Sequence, residues 1–462
     1  MSRKVMRSGA LAAVVMVTAV LIWQLWPQGE PSPGNHLTDV PGVTSASDTQ
    51  VRLSETASLA ALKSSVAEIA ELTARDDLSL MVFVGEVFFR LAPGHDGERA
   101  TELAWAAAGT TDLQSGQVVT IGQMMLDIKL SEGASLVEAT DQLLDRLAEE
   151  SLDLPERSVK LSIPSATYEF TEVRIADLTL AEARSAQDTL TAVLQSSGAD
   201  LVRADLGDPD TDLTLGTPDL SGVGRAQQSV IDAFGRDDVR LNIRAGDLII
   251  SDLVKHSPAD AVDLASRVQE TGAMVTDVDG GLDHITIGSP TPDVAQAVLR
   301  LMATSEWTVG PAGRVSLQID GQSGYEASSL SGDTAAVRRM GPTFLGVHRL
   351  GYRAEVTLAP TGDELENFAV APGLYTDGRP DPDPTSDRSG RALVDLLRSG
   401  DWAGQMELTI FASGTVFVDF HSTTDGRAEE VTSPPNPAPA DGELVDGLAN
   451  LVERWNATAD AG

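Results

Sequence analysis

The sequence predicts an α+β protein: an N-terminal transmembrane helix, then tandem α-β-β-α-β modules with two helices on a small mixed sheet. Three observations predict it. One strand pattern recurs, in "RSVKLSI" ending at Ile163, "DDVRLNIRAG" at 237–246, "GRVSLQI" ending at Ile319 and "GQMELTI" ending at Ile410. Apolar and polar residues alternate in each, the period of a half-buried strand. An amphipathic helix precedes every copy, and an uncharged run opens the chain.

That run extends from Gly9 to Trp26, after Arg3, Lys4 and Arg7 and before Pro27. Its length at helical rise just spans a bilayer. Basic residues precede it and the first acid, Glu30, follows, so the bulk of the chain is expected outside the cytoplasm. Bulky Trp23-Gln24-Leu25-Trp26 stands where a small-residue cleavage site would be, so residues 1–27 read as an uncleaved anchor with a cytoplasmic basic tip. Residues 28–50, rich in Pro, Gly, Ser, Thr and Asp, read as a linker.

Residues 51–83 supply a half module, with Leu59, Leu62, Val66 and Ile69 on one helical face before a strand at 78–83. Four modules follow, at 84–163, 164–243, 244–319 and 320–410. The final helices carry Leu136, Leu143, Leu144 and Leu147, then Val223, Val230, Ile231 and Phe234, then Val294, Val298, Leu301 and Met302, then Leu393, Leu396 and Leu397. First helices stand out at 179–199 and 257–273, where Gly198 and Gly272 read as left-handed caps before the strands "DLVRADL" and "MVTDV". In the first module "DGERATELAWAAAGT" makes a short helix, and in the fourth Gly341-Pro342 is expected to interrupt one. The last strands of the modules begin 76 to 91 residues apart, a domain-sized period. Residues 411–462 close the array with a hairpin, a Pro-rich linker and a helix.

Composition narrows the function. The chain has 462 residues, 42% of them hydrophobic but only 4% aromatic, so its core is built mainly of Ala, Val, Leu and Ile. A net charge of −36 argues against nucleic acid, which needs a basic footprint. There is no cysteine, which excludes disulfides, thiolate metal sites and thiol nucleophiles. Five lysines against heavy Arg and Ala usage point to a bacterial source.

The one spacing with metal-binding character is "DPDTDLTLGTPD", residues 208–219. Asp208, Asp210, Asp212 and Asp219 fall at positions 1, 3, 5 and 12 of a calcium-loop count, and hard carboxylate oxygens suit Ca²⁺. Leu213 stands where that loop wants Gly, and residues 213–215 also read as a strand. "DVDGGLD" at 277–283 reads as a hairpin turn. The six histidines form no helical zinc pair, and no G-x-S-x-G, P-loop or G-x-G-x-x-G occurs. Trp307, Trp402 and Trp455 each close a helix, which suits core packing, with a sugar-stacking platform as the alternative.

These readings converge on a non-catalytic binding or assembly scaffold, membrane-anchored on the outer side of a bacterial cell membrane. Its expected partners are an envelope protein or glycan, or further copies of itself, with the membrane engaged through the N-terminal helix and no nucleic acid. The runners-up are a cation- or glycan-binding sensor and a metal-assisted envelope hydrolase.

Overall fold

The computed structural model describes residues 37–75, 78–165, 170–207, 211–235, 239–319, 327–358, 366–372, 383–400, 402, 404–413, 416–433 and 442–460. These residues form twenty-one strands, in mixed parallel and antiparallel pairing, and ten α-helices. They divide into two compact units: the described residues up to Ser131 with Asp145–Val159, and Glu132–Leu144 with the described residues from Lys160 onward.

The first unit opens with β1 (Val43–Ala46) and β2 (Gln50–Leu53), then α1 (Leu59–Arg75), β3 (Leu80–Val84) and β4 (Val87–Leu91). It continues with α2 (Gly97–Ala108), β5 (Leu113–Val119) and β6 (Met125–Leu130). Each strand pairs with the next, alternately antiparallel within a hairpin and parallel across a helix. Leu59, Leu62, Val66 and Ile69 are the buried face of α1, as their spacing requires. After α3 (Leu136–Glu149) and β7 (Ser158–Pro164), the chain repeats the same theme.

The second unit carries β8 (Phe170–Ile175), α4 (Leu180–Ser197), β9 (Asp200–Leu206), β10 (Thr211–Thr217), α5 (Val223–Phe234), β11 (Val239–Ala245) and β12 (Leu248–Ser251). There follow α6 (Pro258–Glu270), β13 (Met274–Asp279), β14 (His284–Ser289), α7 (Pro292–Leu301), β15 (Arg314–Ile319) and β16 (Ser328–Asp333). The unit ends with α8 (Thr334–Arg349), β17 (Tyr352–Thr357), β18 (Glu366–Pro372), α9 (Asp387–Arg398), β19 (Met406–Phe411), β20 (Phe417–Ser422), β21 (Glu429–Thr432) and α10 (Gly442–Ala459). From β8 to β21 every strand pairs with its successor in the chain.

This corrects the predicted fold. The repeating unit is β-β-α, and its first strands begin at Asp200, Val239, Met274, Arg314 and Tyr352, 35 to 40 residues apart. The expected module held two such repeats less one strand, so its small separate sheet does not exist. The expected boundary at 243/244 falls inside β11, and the β11–β12 hairpin pairs Ile243 with Ile250 across it. Gly246, at φ +63°, supplies the left-handed residue that this two-residue turn needs. Among the missed strands, β12 has four residues and β16 is "SSLSGD" with one large apolar side chain, whereas β4, "VFFRL", and β8, "FTEVRI", carry a legible apolar pattern. Gly341-Pro342 does not interrupt a helix; α8 runs through it, and Leu299 lies so close over Gly341 that no side chain fits there. No helix among the described residues is long and apolar enough to cross a membrane. The predicted anchor, residues 9–26, lies outside the described residues.

The core of the second unit follows from the alternation. Leu213 faces Leu241, Ile243 faces Ile250, Val278 faces Ile285, Leu317 faces Leu330, and Leu408 faces Phe420. None of these is more than 1% exposed. The helices cover this face and pack on one another, α4 on α5, α7 on α8, and α8 on α9. Strand direction reverses at every hairpin while the helices keep to one face. Successive β-α-β crossovers therefore have opposite hands, and every second one departs from the right-handed preference.

Candidate functional site

The residues between the inward ones point to the other face of the sheet, which no described helix of the second unit covers. On β7 to β12 these are mostly charged, with Thr214, Asn242, Ser251 and the apolar Ile249 standing among them. Lys160 Nζ lies 2.8 Å from Glu172 Oε2, and Glu172 Oε1 is 3.4 Å from Arg203 Nε. Arg203 donates twice to Asp205 Oδ2, from Nη2 at 2.6 Å and Nε at 3.0 Å. Burial works against the Arg203 charge, but the hydrogen bond from Asp205 and the nearby Glu172 and Asp212 outweigh it and raise its pKa above the usual guanidinium value. Asp205 stands directly opposite Asp212 on β10, and Arg240 on β11 reaches Asp212 Oδ1 at 3.9 Å. Arg203, Asp205, Asp212 and Thr214 line one side of a shallow groove of about 510 Å³, and Arg240, Asn242, Ser251 and Asp252 line the other.

Two features of the groove cost stability. Like charges directly opposite in an antiparallel pair repel. Asp205 Oδ1 is shut from solvent and accepts no hydrogen bond among the described residues, which a buried carboxylate oxygen tolerates poorly.

Further along, a row of neutral residues crosses the outward face between the charges of Arg314, Asp333, Arg353 and Glu355. Thr286, Ser316, Ser331 and Thr357 stand opposite one another across β14 to β17. Between the two stretches sits Asp277 on β13, whose Oδ1 accepts from Ser251 at 3.4 Å and whose Oδ2 is 4.0 Å from His284 Nε2. Burial pushes the Asp277 carboxyl up from its ordinary value, against the His284 charge and the Ser251 hydrogen bond.

Of the acids expected to hold calcium, Asp208 and Asp210 lie outside the described residues. Asp212 belongs to the groove. Asp219 lies beyond the far end of β10, where its carboxylate accepts from the backbone N–H and the hydroxyl of Ser221. Those two bonds hold its carboxyl below the usual range. The extended strand Thr211–Thr217 separates the two acids, so the structure does not bring them together. Among the described residues no three His, Asp or Glu side chains are grouped to hold a metal ion.

Neither histidine cluster is built as a catalytic triad; in the first, the acid Asp277 and the hydroxyl of Thr286 both stand at the same His284 nitrogen, Nε2, instead of on opposite sides of the ring. Ser251 faces the acid, and His284 Nε2 contacts Thr286 Oγ1 at 3.0 Å. Ser328 contacts His348 Nδ1 at 2.9 Å, but it is fully buried and accepts from the Ala354 N–H. The pair has the contact that activates a nucleophile, but a hydroxyl shut from solvent cannot meet a substrate. Burial lowers the His348 pKa, with Arg349 adding to the effect.

The tryptophans prove to be core. Trp455 is completely buried, with Nε1 donating to Ser422 Oγ at 2.9 Å and the Arg398 guanidinium 4.5 Å over its ring. Trp307 and Trp402 are also buried, so none of the three offers a stacking platform.

The groove was visible in the sequence only as charges at alternate positions, Glu172 and Arg174, Arg203 and Asp205, Arg240 and Arg244. Alternation identifies a solvent face, but not which strands stand side by side. No protein-family model, curated protein or solved structure matches the chain.

Proposed function

We propose that the chain is a non-catalytic binding scaffold whose working surface is the polar face of the sheet. One observation carries the reading: most outward residues from β7 to β20 are polar, with Ile249, Ala369, Ala371, Phe411 and Phe417 among the exceptions, and no described helix of that unit lies over them. Open antiparallel sheets keep one face for solvent, and here that face also holds a charged groove that sacrifices stability. The scaffold is proposed to work on the outer side of a bacterial cell envelope. That placement rests on the order of Arg3, Lys4 and Arg7, the uncharged run and Glu30.

The test places a photo-crosslinking amino acid, in cells, at Asn242 or Ser316 on the polar face and at the exposed Arg225 on α5. Discrete adducts are expected from the first two positions and none from Arg225. Adducts from Arg225 alone, or equally from all three, would contradict the assignment of the polar face.

A further inference from the structure

We propose that the groove on the open face of β9 to β12 binds an uncharged saccharide chain, whose hydroxyls bridge its arginines and aspartates. The inference rests on the reading of that face as the binding surface. Its volume, about 510 Å³, is that of a small-ligand site. The opposed Asp205 and Asp212 and the orphaned Asp205 oxygen mark it as a place where stability has been given up.

The charges of the groove choose the ligand class. Arg203 is already paired with Asp205 and Glu172, and Arg240 faces Asp212. An anion entering here meets three aspartates, Asp205, Asp212 and Asp252; a cation meets two guanidinium groups. Either would break existing pairs for a Coulomb gain that water screens. A neutral hydroxyl is both donor and acceptor, so it can accept from Arg203 or Arg240 and donate to an aspartate without disturbing the balance. Thr214, Asn242 and Ser251 add groups of the same double character. A peptide is less well served, because no apolar residue lines the groove to receive its side chains.

The test is ligand-observed saturation-transfer NMR on the full chain with four β-1,4-linked tetramers. Those of glucose and N-acetylglucosamine are neutral, that of glucosamine is cationic and that of glucuronic acid is anionic. Thr214→Val and Asn242→Leu remove groove hydrogen bonds at positions on the polar face, and an unchanged melting temperature confirms that each variant is folded. Saturation is expected to transfer to at least one neutral tetramer, with binding at least tenfold weaker in both variants and for both charged tetramers. The inference is overturned if no neutral tetramer binds, if a charged one binds as tightly, or if both variants bind like the wild type. Crosslinks from Asn242 to a polypeptide without saccharide binding would overturn it while leaving the scaffold reading standing; crosslinks from Arg225 alone would overturn both.

Discussion

Two stretches of one sheet face, β7 to β11 and β14 to β17, share everything except their outward side chains. Both are ladders of hairpins and parallel crossovers, and both bury their inward residues completely, Leu213 and Leu241 in the first, Leu317 and Leu330 in the second. Outward, the first gathers Lys160, Glu172, Arg203, Asp205, Asp212 and Arg240; the second has a central row of hydroxyls, Thr286, Ser316, Ser331 and Thr357, with its charges, Arg314 opposite Asp333, and Arg353 and Glu355, set to either side. The fold is therefore specified by the inward alternation, and the outward positions are free to differ. What sets the first apart is a like-charged pair, Asp205 opposite Asp212, where the second sets Arg314 opposite Asp333.

The largest effects should not distinguish the two stretches. Leu241→Ala and Leu317→Ala each empty a fully buried site and should lower unfolding free energy by about 2–5 kcal/mol in denaturant titrations. A loss confined to one stretch would break the comparison.

The outward substitutions should separate them. Glu172→Gln removes the partner of both Lys160 and Arg203 and should cost about 0.5–1 kcal/mol, less at high salt. Asp212→Asn relieves the repulsion with Asp205 at the expense of a 3.9 Å contact to Arg240. It should stabilise by about 0.2–1 kcal/mol. In the row of hydroxyls on β14 to β17, Ser331→Ala should stay within about 0.5 kcal/mol of the wild type.

Asp277, on the border, sharpens the comparison through pH. Burial raises its folded pKa above the unfolded value, so the folded state holds the proton more tightly. Its contribution is fully present below the unfolded pKa and is lost as pH rises through the folded one. Asp277→Asn should therefore be more stable than the wild type at neutral pH and lose that advantage in acid. A variant that is less stable at neutral pH would show that the His284 contact outweighs burial.

Much of the fold was legible. The inward alternation at Val239, Leu241 and Ile243, the helical faces of α1 and α3, the left-handed caps at Gly198 and Gly272, and Pro258 and Pro292 at helix starts all stand where periodicity and cap chemistry place them. The repeat length was not: β12 and β16 carry too little apolar pattern to register as strands, and β4 and β8, whose pattern is plainer, were not counted as strands of the repeat. Without them, every second copy of the repeat looked like the whole unit. At Gly341-Pro342 the helix runs on where local rules end it, and Leu299 packs closely against Gly341 there. The groove was the least legible part. Arg203, Asp205 and Asp212 are an ordinary solvent face until register places the two acids opposite each other, and register is a property of the whole sheet.

The central claim is that the outward residues form an uncovered working face, and the absence of native cysteine allows a direct measurement. Single cysteines would be placed at Thr214, Asn242, Ser316 and Ser331, and at the inward neighbours Leu215, Ile243, Leu317 and Leu330, and maleimide labelling rates measured on the folded chain. The account predicts fast labelling at the first four and labelling at the second four only on unfolding. Slow labelling at Asn242 and Ser316 in a fully folded protein would contradict it, because a covered face could not be the one that binds.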